Sequence, residues 1–154
     1  MAPPRTTPET AADPLAELNA AWDDFFGAIR RARGRASRQH GNELTLPQVN
    51  LLDPLAGGGS ARIGELAEAA GVAAPTASRM VDSLEREGIV ARGAAEGDRR
   101  AIAVELTADG RKLYRRKRAE MQTKRNEIFG SLSEDEREQA AHLLGRMAEL
   151  IDEL

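Results

Sequence analysis

The stretch IGELAEAAGVAAPTASRMVDSL, residues 63–84, decides the fold, because it reads as two short helices meeting at one tight link. The first runs from about Arg62 to Ala70 and ends at Gly71, a residue free to take the left-handed conformation that closes a helix. The second covers roughly residues 74–87, with Pro75 suited to its first turn and Gly88 marking its end. At about 100° per residue, Ala77, Met80, Val81 and Leu84 share one face of this second helix. Pro75, Arg79, Asp82 and Arg86 lie opposite, flanked by Thr76 and Ser78. One face packs and the other is free to read a partner. The link through Gly71 and Val72, with small Ala67 beside it, brings the helices together at a steep angle, as in a helix-turn-helix. Such a motif places its second helix in the major groove, where an arginine bonds guanine through two hydrogen bonds. A helical hairpin with a merely solvated charged face would use the same residues, so the neighbouring sequence has to discriminate.

Residues 89–92 and 101–106 are short β-capable runs around a polar, glycine-containing link, residues 93–100, and together they read as a hairpin. A helical unit followed at once by a two-stranded ribbon is a winged-helix arrangement. The link puts Arg99 and Arg100 at or near the ribbon tip, and arginines there suit the narrow, strongly negative minor groove. Asp98 can hold an arginine in place by a charge-assisted hydrogen bond. A plain polar turn, for which Gly and Asp are ordinary residues, is the competing reading. Upstream, Thr45 can cap a helix that tolerates Pro47 in its first turn. Pro54 lacks the amide that would bond back to the Asn50 carbonyl, so that helix ends near Asp53 or kinks, and GGGS at residues 57–60 makes a loop.

The flanks are helical. Residues 1–13, rich in Pro, Thr and Ala, read as a disordered tail. Leu15, Leu18, Trp22, Phe25 and Ile29 then recur at steps of 3, 4, 3 and 4 along a helix reaching about Arg38, weakened by Gly34. Thr107 caps a long helix to about Phe129, and Ser133 with Glu136 forms the capping box of a last helix. In that helix Ala140, Leu144, Met147, Ile151 and Leu154 step by 4, 3, 4 and 3. Two such seams exceed the apolar patch a monomer of this size tolerates, which predicts a two-fold dimer through Leu15, Leu18, Trp22, Leu144, Met147 and Ile151. The fold class is α+β, mostly α: one winged-helix domain over residues 14–154, with a DNA-binding lobe at 44–107 and dimerisation helices at 14–40 and 108–154.

Composition narrows the function classes. At 154 residues, 41% hydrophobic and 31% charged, the chain affords one core, and no apolar stretch approaches the roughly 20 residues of a membrane span. The absence of cysteine excludes disulfides, thiolate metal sites and thiol switching, and the N-terminus has no signal-peptide core, so a cytoplasmic setting without membrane attachment is expected. The net charge of −3 is uneven: one basic residue against five acidic over 1–24, five against two over 25–59, twelve against nine over 60–118, and four against nine over 119–154. A polyanion, if there is one, meets the middle.

The runs LTLPQ (44–48), IGELAEAAGVAAPTASRMVDSLEREGIVAR (63–92) and GDRRAIAVELTADG (97–110) together resemble the MarR family of bacterial winged-helix transcription regulators. Asp98 and Arg100 before an alternating strand ending Leu106-Thr107, with Gly110, are the specific part of the match; the flanking helices match in layout only. The resemblance implies a homodimer built by the terminal helices, a pseudo-palindromic operator, and release by a small aromatic or phenolic effector. By position it implies that Thr76, Ser78 and Arg79 face the major groove and that Arg100, oriented by Asp98, faces the minor groove. Two departures stand out. Ala74 occupies a place where the family often has a hydroxyl cap, and Pro54 interrupts a helix that usually continues.

Several residues stay outside this scheme. The arginines at 30, 31, 33, 35 and 38 fall in an acid-free window and read as a solvated helix end, with phosphate or anion contact the alternative. Trp22 and Phe26 read as core or dimer interface, with a ligand pocket the alternative, while His40 and His142 are isolated surface residues that suggest no metal site. No nucleophile sits beside a base and GGGS lacks the lysine of a phosphate loop, so neither an enzyme nor a cofactor is indicated. The sequence thus points to a sequence-specific, ligand-responsive repressor acting as a homodimer on double-stranded DNA. The alternative is a winged-helix module that binds protein instead.

Overall fold

The computed structural model describes residues 13–39, 43–95 and 98–154, and the chain divides between residues 42 and 43 into two compact units. The tail expected at residues 1–13 lies outside the described residues apart from Asp13, whose carboxylate accepts the Leu15 N–H at 3.1 Å. The first unit is one helix, α1 (Pro14–Gln39), which Gly34 does not interrupt. On it Trp22 and Phe26 stack with ring centroids 4.6 Å apart, and Phe25 meets Phe26 edge-on at 5.5 Å.

The second unit begins with α2 (Leu46–Leu52). Thr45 and Gln48 close a reciprocal capping box: the Thr45 N–H donates to Gln48 Oε1 at 2.8 Å, and the Gln48 N–H donates to Thr45 Oγ1 at 3.4 Å. Pro54 ends the helix as its missing amide requires, and the chain tightens into a 3₁₀ turn, Asp53–Leu55. Next come β1 (Ser60–Ala61), α3 (Ile63–Ala70), α4 (Ala74–Arg86), β2 (Val90–Ala95), β3 (Asp98–Leu106), α5 (Ala108–Gly130) and α6 (Glu134–Asp152). Gly71 closes α3 at φ 63°, the left-handed conformation expected of it, and α6 opens on the Ser133–Glu136 box.

The three strands are antiparallel in the order β1-β3-β2. Here the structure extends and corrects the sequence reading. β1, whose Ser60 pairs with Glu105 and Ala61 with Val104, was expected to be loop; two residues are too few to show a period, and β3 recruits them by backbone pairing. The hairpin ladder also runs on past Arg92 through Gly93↔Ala103 and Ala94↔Ile102 before an irregularity shifts it to Ala95↔Asp98. Asp98, Arg99 and Arg100 therefore open β3 and do not sit in a long link. Small residues such as Gly93 and Ala94 accept a backbone ladder without any side-chain signal for it.

The core of this unit gathers Val49, Leu51, Leu52 and Leu55 from α2 and its turn, Leu66 from α3, Ala77, Val81 and Leu84 from α4, Val90, Val104 and Leu106 from the sheet, and Tyr114 from α5. The face of α4 expected to pack does so, with Met80 half-buried at its edge. The root of the wing is tied to α5 at one place. The Thr107 N–H donates to the Ile89 carbonyl at 3.1 Å, and Thr107 Oγ1 donates to the Gly88 carbonyl at 2.7 Å while accepting the Gly110 N–H at 3.0 Å. Gly110 is buried so closely that a Cβ there would lie 1.8 Å from the Ile89 carbonyl oxygen. One turn on, the Tyr114 hydroxyl donates to Asp53 Oδ1 at 2.5 Å, and Arg118 approaches the same oxygen at 3.5 Å.

Two stability predictions arise from this junction. Gly110→Ala has nowhere to place its methyl group except by shifting backbone, and should cost about 3 kcal/mol or more in urea unfolding; a loss no larger than that of an exposed Gly→Ala in the same helix would contradict the packing. Tyr114→Phe should cost about 1–2 kcal/mol. Burial first, and then the bond to Asp53, raise the Tyr114 phenol above its ordinary 10.0. The neutral phenol is therefore the form the fold favours, and its contribution is full below about pH 10 and lost as pH rises through the raised value. Wild type should lose stability in that alkaline window faster than Tyr114→Phe, and parallel profiles would overturn the assignment.

Candidate nucleic-acid interface

The link between α3 and α4 is three residues long, and two backbone bonds make it rigid: Gly71 N–H to the Glu68 carbonyl at 3.0 Å and Val72 N–H to the Ala67 carbonyl at 3.0 Å. Ala67 is buried where the two helices meet, as a small residue at a close crossing should be. With Ala77, Val81 and Leu84 committed to the core, α4 can present only its other side. Pro75 and Arg79 are exposed there, and Thr76 and Ser78 are half-buried beside them. All four expected α4 residues thus share one accessible surface at the helix's N-terminal half.

The start of α4 is bare. Its capping residue is Ala73, one position earlier than the Ala74 singled out from sequence, and no side chain accepts a bond from the first turn. The Thr76 and Ala77 amides turn back to the Ala73 carbonyl at 2.9 and 3.1 Å, and Pro75 has none to offer. Arg79 Nε donates to the Pro75 carbonyl at 3.3 Å, which lays its stem along the first turn while its terminal nitrogens remain without a described partner. Arg86 repeats this one region later, donating to the Asp82 carbonyl at 3.2 Å.

The backbone of Asp98, Arg99 and Arg100 opens β3, but their side chains lie outside the described residues, so the Asp98–Arg100 pairing expected from sequence falls there too. Sequence reasoning passed over Arg92. From β2 it donates to Asp82 Oδ1 at 2.5 Å and, through its other terminal nitrogen, to Glu85 Oε2, so one guanidinium joins the wing to two carboxylates of α4. The bond to Asp82, followed by Glu85, holds the Arg92 guanidinium above its usual value despite partial burial. No pattern in the sequence singles it out, because a lone arginine after the apolar run Ile89-Val90-Ala91 reads as an ordinary strand residue.

The remaining candidates are dispersed. Leu15, Leu18, Leu144 and Ile151 are 64%, 61%, 55% and 55% exposed, with Trp22 and Phe26 also exposed and Met147 half-buried, so α1 and α6 each carry an uncovered apolar face. Arg30, Arg31 and Arg35 are exposed on α1, the side chains of Arg33 and Arg38 and the whole of His40 lie outside the described residues, and His142 is exposed on α6. Among the described residues no three His, Asp or Glu side chains gather as they would around a metal ion, and no helix is long and apolar enough to cross a membrane.

Comparison with known proteins places this lobe. The model of the MarR family matches residues 44–102. A curated relative, the uncharacterized HTH-type transcriptional regulator YfiV of Bacillus subtilis, is 32% identical over 73 residues, 47% of this chain and 46% of its own length. The chain thus matches less than half the length of that relative. The crystal structure of the YusO protein of Bacillus subtilis is similar over 92% of this chain and 99% of its own, at 26% identity and a TM-score of 0.69. The transcriptional repressor CouR, bound to a 23-mer DNA duplex, is similar over 79% of this chain and 89% of its own, at 26% identity and a TM-score of 0.61.

Proposed function

We propose that this chain, whose residues 44–102 carry the winged helix of the MarR family, is a sequence-specific repressor that binds a pseudo-palindromic operator as a homodimer in the cytoplasm. The observation that carries the reading is the division of α4: one face is locked into the core, and the other offers Pro75, Thr76, Ser78 and Arg79 beside an uncapped N-terminus. Side chains at that end of a recognition helix are the ones that reach base edges in the major groove. Arg79, with its end nitrogens unengaged, is suited to a guanine, and Thr76 and Ser78 to either a base or a phosphate. The arginines opening β3, Arg99 and Arg100, are assigned to the minor groove, with Asp98 as the acceptor that steadies Arg100. DNA held by the relative CouR supports the partner class.

The dimer is supported by the uncovered leucines and aromatics of α1 and, separately, by the uncovered leucines of α6, since clustered apolar side chains left to water mark association surfaces. A small aromatic carboxylate or phenol is the proposed effector, and Trp22 and Phe26, paired and exposed, are its candidate contacts. Such a ligand needs only about 1–3 kcal/mol of preference for the form that does not bind DNA.

Two tests bear on this reading. Light scattering at micromolar concentration should return twice the mass of the 154-residue chain, and a monomer mass would exclude the dimer. Affinity for a cognate and a scrambled duplex across a salt series should separate the two arginine sites. Arg79→Ala should lose about 1–3 kcal/mol on the cognate duplex only and relax preference at one position per half-site. Arg100→Ala should weaken both duplexes and reduce the salt slope by about one unit per site lost. Equal loss on both duplexes for Arg79→Ala, or no loss for Arg100→Ala, would reverse the roles.

A further inference from the structure

The recognition helix is an unexpected place for acid. From Ala74 to its cap at Glu87, α4 carries Asp82, Glu85 and Glu87 against Arg79 and Arg86, so the element assigned to a polyanion is itself net negative. Glu87 lies at the far end and accepts from the Ser83 hydroxyl at 3.0 Å. Asp82 is the acid of concern, because it stands on the accessible face between the two arginines, with its side chain 53% exposed. Neither Arg79 nor Arg86 neutralises it. Their Nε atoms are turned to the carbonyls of Pro75 and Asp82, and among the described residues the ion pair at the Asp82 carboxylate comes from Arg92.

Arg92 reaches it from β2, where it pairs in register with Val104, and one guanidinium serves Asp82 and Glu85 together. Its side chain is only 26% exposed, so its own nitrogens are directed at α4 rather than outward. Resting on the DNA-binding reading, we propose that Arg92 is a positioning residue that masks these two carboxylates: it cancels part of their repulsion of DNA phosphates and engages one oxygen of each, Asp82 Oδ1 and Glu85 Oε2, that they would otherwise offer to base edges. Within a few ångströms of a phosphate, well inside the Debye length of about 10 Å at 0.1 M salt, an unmasked carboxylate acts at nearly full strength. Masking also serves specificity, since a free Asp82 would accept from a cytosine amino group.

The test is a set of three variants of the full chain, titrated with a duplex of mixed sequence and with a duplex selected by the wild type, across a salt series. Arg92→Ala should bind both about tenfold more weakly at low salt, and the gap should close as salt rises, because repulsion is screened while a lost fold is not. Adding Asp82→Asn and Glu85→Gln to Arg92→Ala should restore wild-type affinity or better. A triple variant that stays as weak as Arg92→Ala overturns the proposal, since it would mean that Arg92 acts as a structural clamp or touches DNA itself. If Arg92→Ala does not fold, Asp82→Asn with Glu85→Gln decides alone: tighter binding than wild type is expected, and equal or weaker binding overturns the proposal. A wild-type chain that binds neither duplex overturns the DNA-binding reading itself, and this role with it.

Discussion

The root of the wing takes its place from the contact between Gly110 and the Ile89 carbonyl. The backbone of α5 approaches so near that no side chain fits between, and Thr107 uses its amide and its hydroxyl to bind the same corner from both sides. Ile89 in turn receives its place from α4, because its N–H donates to the Leu84 carbonyl at 2.9 Å. A short chain of backbone contacts therefore joins the end of α4, the start of β2, the end of β3 and the start of α5. A rigid scaffold of this kind is what a reading surface requires, since base contacts depend on placement within fractions of an ångström.

A second set of bonds fixes α2 to α5. Asp53, directly after α2, accepts from Tyr114 and faces Arg118, while Lys117 reaches Glu43 at 2.7 Å and Glu120 at 3.3 Å. Burial disfavours the Lys117 charge, but the bonds to Glu43 and Glu120 outweigh it and hold the ammonium above its ordinary value. Both flanks of the seven-residue α2 are thus secured to one long helix. The interruption by Pro54 is not a defect in this arrangement.

How legible all this was depends on the kind of signal each element carries. The α4 packing face followed from its 3.6-residue period, and Gly71, Thr45, Thr107 and Ser133 announced helix ends through local bonding that needs no tertiary information. β1 and the outer half of the hairpin were missed because backbone pairing leaves no trace in side chains such as Ser60, Gly93 and Ala94. The polar face of α4 was legible as a surface, and the resemblance to a known family pointed to the same residues. Arg92 was not legible, since its partners Asp82 and Glu85 are brought to it only by the packing of α4 against β2. Gly110 was noticed as part of a motif, but its physical reason, the Ile89 carbonyl, exists only in three dimensions.

The account's central claim is that the exposed side of α4, carried on this scaffold, reads a two-fold DNA sequence. The direct measurement is to incubate the purified chain with sheared DNA from its own genome, recover the retained fragments and sequence them. Enrichment of a few loci sharing a pseudo-palindrome, with half-sites about one helical turn apart, is the predicted result. Retention of fragments in proportion to their abundance, or no retention at low salt, would contradict it and favour a winged helix that binds protein.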